Sequence, residues 1–121
     1  MSQALRMLVV DDEAPARDEL AWLLARDELV DSVLAAASAT DALRLLEEHP
    51  VDVVLLDISM PGLDGMELAA VLRRFREPPA IVFVTAHEQH AVGAFDLEAV
   101  DYVLKPVREE RLALAVRRAA A

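Results

Sequence analysis

The 121-residue sequence contains no cysteine, three glycines and only five aromatic residues (one tryptophan, one tyrosine and three phenylalanines). Without cysteine there are no disulfides and no thiolate metal site, which disfavours a secreted, disulfide-stabilised scaffold. Because aromatic residues are few, the core must consist mainly of leucine, valine and alanine. No apolar run reaches the roughly 18 residues of a membrane span. We therefore expect a cytoplasmic protein without a membrane segment.

Basic residues are also scarce, with 12 lysines and arginines against 22 acidic residues and a formal net charge of −10. A surface of this charge repels phosphate backbones, so we expect no direct nucleic-acid binding by this chain. The charge suits a partner with basic patches, or a site that uses negative charge to hold a cation. Eleven of the basic residues are arginine, and Lys105 is the only lysine.

Five short apolar runs alternate with five longer segments of helical periodicity. The runs are residues 6–10, 32–36, 52–56, 80–84 and 100–104. Three of them are continuously apolar, as expected for parallel strands that are covered on both faces. The alternation predicts one α/β domain over residues 1–121, with a five-stranded parallel sheet, right-handed crossovers and helices on both sides.

Local signals mark the ends of the predicted helices. Pro15 suits the first turn of the first helix, Ser38 or Thr40 suits the cap of the second, and Asp64 suits the cap of the third. The prolines in segments 49–50 and 77–79 are predicted to end the second and third helices, because a residue before proline avoids helical angles. Segment 88–95 is the weakest predicted helix, since it is short and contains a glycine. The last helix is predicted over residues 108–120.

Polar side chains follow four of the five predicted strands. Asp11 and Asp12 follow the first, Asp57 the third, Thr85 the fourth and Lys105 the fifth. Each is ordinary alone, since an aspartate after a strand commonly caps a turn and a lysine is commonly a surface charge. In an open α/β sheet, however, ligands bind beyond the carboxyl ends of the strands. Together these residues predict a functional site at that edge.

The residue types at this edge indicate phosphoryl chemistry with Mg²⁺ as the cofactor. Clustered carboxylates repel one another unless a cation joins them. Mg²⁺ prefers such oxygen ligands and bridges a carboxylate to a phosphoryl oxygen. Asp57 then becomes a candidate nucleophile toward phosphorus, Lys105 balances the charge of the transferred group, and Thr85 is placed to donate a hydrogen bond to a phosphoryl oxygen.

Four motifs give the sequence a family resemblance along essentially its whole length. They are LVVDDE at 8–13, LLDISMPGLDG at 55–65, VTA at 84–86 and DYVLKP at 101–106. With these motifs the sequence resembles response-regulator receiver domains of two-component systems. The resemblance implies a doubly wound, flavodoxin-like fold with strand order 2-1-3-4-5. It also implies a regulatory protein, not an enzyme beyond self-catalysed phosphoryl transfer and autodephosphorylation.

The resemblance assigns roles to individual residues. Asp57 matches the phosphoacceptor, and the Mg²⁺ ligands would be Asp11 or Asp12 with Asp57 and the backbone carbonyl of Ser59. Thr85 matches the switch hydroxyl, Tyr102 the switch aromatic residue and Lys105 the phosphate-contacting lysine. The peptide bond before Pro106 would be cis. Ser59 and His87 would flank the phosphoryl group and tune the access of water to it.

Segments 80–86 and 94–106 are similar to receivers of the LytTR (AlgR/LytR) class, which normally precede a β-rich DNA-binding domain. The 121 residues of this sequence contain no such domain. We expect a receiver that has been separated from its effector domain rather than a stand-alone regulator, because a chain with a net charge of −10 is poorly suited to bind DNA by itself. The resemblance implies a sensor histidine kinase as partner. It also implies a homodimer of the phosphorylated form, made through the face of the fourth helix, fifth strand and fifth helix, which would control a DNA-binding output domain.

Three alternatives remain. A stand-alone receiver would act by protein–protein interaction, and a pseudo-receiver would do so without phosphorylation, although every matched site residue is present. An aspartyl-nucleophile phosphatase of the haloacid-dehalogenase kind usually has a second aspartate two positions after the nucleophile, where this chain has Ser59. A nucleotide-binding fold is disfavoured because no glycine-rich loop follows the first predicted strand.

Overall fold

Five short strands form one parallel sheet in a computed structural model that describes residues 4–121, so residues 1–3 of the predicted domain lie outside the described residues. The strands are β1 (Leu5–Val10), β2 (Val30–Ala36), β3 (Val53–Leu56), β4 (Ala80–Thr85) and β5 (Asp101–Leu104). Their order is β2-β1-β3-β4-β5, and every neighbouring pair is parallel. The predicted doubly wound fold and strand order are confirmed.

Helices cover both faces of this sheet. The described α-helices are α1 (Ala14–Ala25), α2 (Ala39–Glu48), α3 (Gly65–Leu72), α4 (Ala91–Asp96) and α5 (Glu109–Ala120). Buried residues of α1 and α5 share one core cluster, and those of α2, α3 and α4 share the other. None of the described helices is both long enough and apolar enough to cross a membrane.

Strand β3 shows why the central runs are continuously apolar. Val53 and Leu55 belong to the core cluster under α1 and α5, whereas Val54 and Leu56 belong to the cluster under α2, α3 and α4. Successive side chains of a strand point to opposite faces, so a strand covered on both sides needs an apolar residue at every position. The result is a rigid central strand that ends directly before Asp57.

The predicted helix starts have the expected side-chain caps. Ser38, not Thr40, caps α2, and its Oγ accepts a hydrogen bond from the Asp41 amide at 3.1 Å. Asp64 caps α3 in a reciprocal pair with Glu67, in which each side chain accepts from the other's amide at 2.9 and 3.0 Å. This capping box satisfies amide groups that the first turn of a helix leaves free. Pro15 lies in the first turn of α1.

Two predicted helix boundaries were wrong. Helix α3 ends at Leu72 and does not continue to the prolines at 78 and 79, because tight turn bonds follow it, with the Phe75 amide donating to the Leu72 carbonyl. Leu72 is the last fully buried position of that segment. The predicted helix over 88–95 is divided into a 3₁₀ turn, Glu88–His90, and the short helix α4. Ala94 is the only buried residue of α4, so little apolar burial supports a longer helix there.

A buried ion cluster attaches β5 to α5. Asp101 is only 7% exposed, and its two carboxylate oxygens accept hydrogen bonds from Arg111 at 2.7 and 2.8 Å. A third contact, at 3.0 Å, comes from Arg118. Burial raises the pKa of the Asp101 carboxyl, but the hydrogen bonds from Arg111 and the charges of both arginines outweigh it, so the pKa lies below its ordinary value. The folded state therefore favours the ionised carboxylate.

We expect Asp101→Asn to lower the free energy of unfolding at pH 7 by about 1.5–3 kcal/mol, the range for hydrogen bonds to charged groups. Since the folded-state pKa is depressed, this stabilisation is present above the ordinary pKa of roughly 4. It is lost as the pH falls through the folded-state value. Urea unfolding at several pH values should show a constant difference between the two proteins above about pH 5 and a shrinking difference as the pH falls below roughly 4. Asp18→Asn, an equal charge change at an exposed position of α1, is the control. A difference that stays constant with pH would contradict the assignment.

Candidate functional site

The carboxyl ends of β1, β3, β4 and β5 meet at one edge of the sheet, where the sequence predicts the site. Backbone hydrogen bonds extend the strand pairing beyond the strands themselves. The Asp57 amide donates to the Val10 carbonyl at 3.0 Å, and the Lys105 amide donates to the Thr85 carbonyl at 2.9 Å. The main chain of both Asp57 and Lys105 is therefore held by the sheet, because each residue continues its ladder by one bond.

Lys105 joins two of the carboxylates. Its Nζ lies 2.8 Å from Oδ2 of Asp11 and 3.2 Å from Oδ2 of Asp57. Burial lowers the pKa of the Lys105 ammonium, but the hydrogen bonds to and charges of Asp11 and Asp57 outweigh it, so the pKa is raised above its ordinary value. Lys105 is consequently a charged ammonium at neutral pH.

Three carboxylates cluster around this ammonium. One oxygen each of Asp11, Asp12 and Asp57 lies within 4.8 Å of the other two. Asp11 and Asp57 are 1% and 7% exposed, whereas Asp12 is exposed. Three carboxylates and one ammonium leave two uncompensated negative charges, which is the charge that one divalent cation carries. Oxygen ligands at this spacing fit Mg²⁺, which takes six oxygen ligands and usually keeps several waters.

The loop that carries Asp11 and Asp12 is fixed by hydrogen bonds from several elements. The Asp11 amide donates to the Ala36 carbonyl at 3.2 Å, and the Glu13 amide donates to Oδ1 of Asp11 at 2.9 Å. Arg17 donates from Nη1 to the Asp11 carbonyl at 2.8 Å. Arg17 was not among the predicted site residues. The only sequence signal was its place one turn into the helix that follows the acidic triplet.

The loop after Asp57 depends on a close backbone approach at Gly65. The Ser59 amide donates to Oδ1 of Asp57 at 3.3 Å, and the Gly65 amide donates to the Ile58 carbonyl at 2.9 Å. A Cβ atom on Gly65 would lie 2.1 Å from the carbonyl oxygen of Asp57. Only glycine fits this position. This role of Gly65 was not predicted from the sequence. A signal was present, because the first residue of a helix does not itself need the conformational freedom of glycine, so a glycine there indicates a close approach by another part of the chain.

The predicted switch residues both hold the backbone of His87. Thr85 is fully buried, and its Oγ1 accepts a hydrogen bond from the His87 amide at 3.3 Å. The Tyr102 hydroxyl donates to the His87 carbonyl. Tyr102 also packs against Phe83, with 6.0 Å between ring centroids. The peptide groups on either side of His87 thus connect Thr85 to Tyr102.

A cleft of about 320 Å³ opens above the acidic cluster. Its lining includes Asp12, Asp57, Lys105 and the two predicted flanking residues, Ser59 and His87. Tyr102 and Pro106 do not line this cleft; both lie along a separate groove with Leu104 and Leu114. The Lys105–Pro106 bond is cis, as the family resemblance implied. The structure therefore brings most predicted residues together and sets Tyr102 and Pro106 apart.

Known proteins with similar sequences are bacterial regulators. Residues 7–117 match the family described as the response regulator receiver domain. The chain is 45% identical over 114 residues to the sensory transduction protein LytT of Bacillus anthracis, covering 94% of this chain and 46% of LytT. It is 45% identical over 116 residues to the positive alginate biosynthesis regulatory protein of Pseudomonas aeruginosa, covering 95% and 47%. The chain thus spans about half the length of these curated relatives.

Solved structures with the same fold include two bacterial regulators. The response regulatory domain of mrkE from Klebsiella pneumoniae is 39% identical, with a TM-score of 0.87 and coverage of 94% of this chain and 93% of that one. The response regulator TrrA from Thermotoga maritima, determined in complex with Mg²⁺ and BeF, is 30% identical, with a TM-score of 0.84 and coverage of 95% and 98%.

We expect Gly65→Ala to destabilise the fold and distort the site, because its methyl group would overlap the Asp57 carbonyl oxygen. Overpacking of this kind costs about 1–3 kcal/mol or more. The comparison variant is Gly62→Ala, which has φ +75° and open space for a Cβ atom, so it should lose only the roughly 1–2 kcal/mol of left-handed backbone strain. Urea unfolding measures both losses, and amide NMR shifts of residues 57–59 report the distortion. Equal losses with unchanged shifts for Gly65→Ala would contradict this role.

Proposed function

Since the chain belongs to the response-regulator receiver family, we propose that it accepts a phosphoryl group on Asp57 in a Mg²⁺-dependent step and that this modification controls its assembly. Receiver domains are regulatory and not classical enzymes, and response regulators work with sensor histidine kinases. The observation that carries the proposal is the Lys105 ammonium between the buried carboxylates of Asp11 and Asp57, with Asp12 beside them.

In this proposal the Mg²⁺ ligands are the carboxylates of Asp11 or Asp12 and Asp57 with the backbone carbonyl of Ser59. The two uncompensated negative charges of the cluster support this assignment, as does the similar TrrA protein that was determined with Mg²⁺ and BeF. When bound, Mg²⁺ supplies positive charge to the oxygens of the transferred phosphoryl group.

The phosphodonor is the phosphohistidine of a sensor kinase or a small acyl phosphate. A carboxylate oxygen of Asp57 forms the new bond to phosphorus while the bond from phosphorus to the donor atom breaks. The bonding electron pair leaves with the imidazole nitrogen of a phosphohistidine, which takes up a proton, or with the carboxyl oxygen of an acyl phosphate, which leaves as a carboxylate. Lys105 already contacts Asp57 and stays beside the charge that develops on the phosphoryl oxygens. Because Asp57 is 7% exposed at the base of the cleft, the donor group must enter the cleft.

Phosphorylation changes the partners of the Thr85 hydroxyl. A hydrogen bond that this hydroxyl donates to a phosphoryl oxygen is charge-assisted. Thr85 Oγ1 already accepts a hydrogen bond from the His87 amide, so a movement of the hydroxyl toward the phosphoryl group would also move the His87 backbone or break that bond. Tyr102 holds the carbonyl of His87, so a shift of this segment changes the support of the tyrosine ring. Moving the equilibrium between the inactive and active conformations from 1:99 to 99:1 needs about 5.5 kcal/mol of differential stabilisation. A new bond to Thr85, at roughly 1.5–3 kcal/mol, supplies part of this free energy, and Lys105 exchanges its contact with the Asp57 carboxylate for one with the phosphoryl group.

Ser59 and His87 complete the proposed site, since both line the cleft. Their side chains would limit the approach of water to the acyl phosphate and so set the rate of autodephosphorylation. The receiver domain of this proposal spans residues 1–121. A cytoplasmic location belongs to the same proposal, and the absence of cysteine favours it.

We expect the chain, incubated with Mg²⁺ and acetyl phosphate, to gain the mass of one phosphoryl group, and Asp57→Asn to gain none, because the amide is not a nucleophile here. Intact-protein mass spectrometry measures the change, and chelation of Mg²⁺ should abolish it. Asp18→Asn removes an exposed carboxylate of α1 and should be phosphorylated like the wild type. Phosphorylation of Asp57→Asn at the wild-type level would overturn the proposal. Continuous turnover of phosphate esters would favour the aspartyl phosphatase instead.

The proposed output surface is the face formed by α4, β5 and α5. Val92 and Phe95 on α4 are 76% and 70% exposed, and Leu104 on β5 is 43% exposed. A groove of about 580 Å³ beside Leu104 is lined by apolar residues and by both Arg111 and Glu110. A face with apolar residues and charges of both signs suits a symmetric contact with a second copy. Dimerisation there would bring together two copies of the DNA-binding output domain that the resemblance to LytTR-class receivers implies.

We expect beryllofluoride with Mg²⁺ to convert the chain from monomer to dimer, and Phe95→Ala to weaken that dimer at least tenfold, because Phe95 is a large exposed apolar group on this face. Sedimentation velocity over a concentration series measures the dissociation constant. Trp22→Ala removes an exposed aromatic ring from α1, across the sheet from α4, and should leave dimerisation unchanged. A wild-type chain that binds the phosphate mimic but stays monomeric would exclude this output.

A further inference from the structure

Arg17 on α1 reaches back to the loop that carries the proposed Mg²⁺ ligands. It is half-buried, and its Nη1 donates to the backbone carbonyl oxygen of Asp11 at 2.8 Å. The other polar atoms of Asp11 are held by different elements. Its amide donates to the Ala36 carbonyl, its Oδ1 accepts from Glu13, and its Oδ2 accepts from Lys105. Arg17 therefore supplies the remaining contact, to the peptide group between Asp11 and Asp12.

That peptide group determines where the backbone of Asp12 lies. A peptide unit is planar, so a fixed Asp11 carbonyl also fixes the amide nitrogen and the Cα of Asp12. Asp12 is exposed, in contrast to the buried Asp11 and Asp57. Its carboxylate is the member of the acidic cluster that depends most on its backbone for position.

We propose that Arg17 is a positioning residue for the divalent-cation site: it orients the Asp11–Asp12 peptide so that the Asp12 carboxylate stays within reach of Asp11 and Asp57. This inference rests on the proposed function, since it assigns a supporting residue to the same Mg²⁺ site. Groups that orient metal ligands commonly change metal affinity 10–100-fold when they are removed.

The positive charge of Arg17 has the opposite effect on Mg²⁺ affinity. The direction in which that affinity changes when Arg17 is replaced therefore tests the inference. A guanidinium near the site repels a cation, so its loss by charge alone would strengthen Mg²⁺ binding. Loss of a positioning contact and loss of a repulsive charge therefore change Mg²⁺ affinity in opposite directions, and we expect the first to be the larger effect, at about 10–100-fold.

The test is the Mg²⁺ dissociation constant of the full chain, measured by isothermal titration calorimetry and by the rise of Tm with Mg²⁺ concentration. Arg17→Met should bind Mg²⁺ about tenfold more weakly. Arg17→Lys, which keeps a charged donor, should recover part of the affinity. Arg26→Met removes the same charge from the end of the same helix, where Arg26 contacts Glu109, and should bind like the wild type. With acetyl phosphate, Arg17→Met should need more Mg²⁺ for half-maximal rate but approach the wild-type rate at saturation.

Each outcome decides one question. A wild-type chain that binds no Mg²⁺ would overturn the proposed function itself. A wild type that binds Mg²⁺, together with an Arg17→Met variant that binds it equally or more tightly, would overturn the positioning role alone. Should Arg17→Met not fold, as near-ultraviolet circular dichroism would show, Arg17→Lys decides. Lysine has a shorter side chain and places its ammonium differently from Nη1 of Arg17, so the Mg²⁺ affinity of this variant should be reduced a few-fold, and an unchanged affinity would overturn the inference.

Discussion

The repulsion between buried carboxylates is the constraint on which the site depends. Asp11 and Asp57 are almost completely buried at the same sheet edge, and a single ammonium, that of Lys105, lies between them at 2.8 and 3.2 Å. Burying charges is costly unless they are paired and hydrogen-bonded. One lysine offsets only part of the negative charge once Asp12 is included. A divalent cation would offset the remaining negative charge, and this is the basis of the proposed Mg²⁺ site.

The sheet keeps these charges together because each site residue continues a strand. Asp57 and Lys105 follow β3 and β5, and their amides extend the hydrogen-bonded ladder toward β1 and β4. Such backbone bonds join neighbouring strands, so the spacing of the charged groups is tied to the spacing of the strands. Gly65 adds a second constraint on the position of Asp57, because only a residue without a Cβ atom lets the start of α3 approach the Asp57 carbonyl. The same atoms that stabilise the fold therefore fix the position of Asp57, the proposed phosphoacceptor.

Most of the fold and of the residue set at the site could be predicted from the sequence, because both depend on short-range patterns. Continuous apolar runs indicate buried parallel strands, and the residues after those runs meet at one edge whatever the details of packing. Arg17 and Gly65 could not be predicted in the same way, since their roles arise from contacts with the main chain of Asp11 and Asp57. The end of α3 was predicted wrongly for a related reason: Leu72 is the last buried residue before Pro79, and the six residues between them are exposed or partly exposed.

The contacts of β5 with α5 and the weak anchoring of α4 together determine which element a change at Asp57 would displace. Arg111 holds both the Asp101 carboxylate and the Tyr102 carbonyl, at 2.7–2.8 and 3.2 Å, so β5 is fixed to α5. Helix α4 has only Ala94 buried and follows directly on the His87 segment that Thr85 and Tyr102 hold. In the proposed function, a rearrangement that begins at Thr85 would therefore meet least resistance toward α4. Because Val92 and Phe95 lie on that helix, its displacement alters the exposed apolar surface without disturbing the sheet.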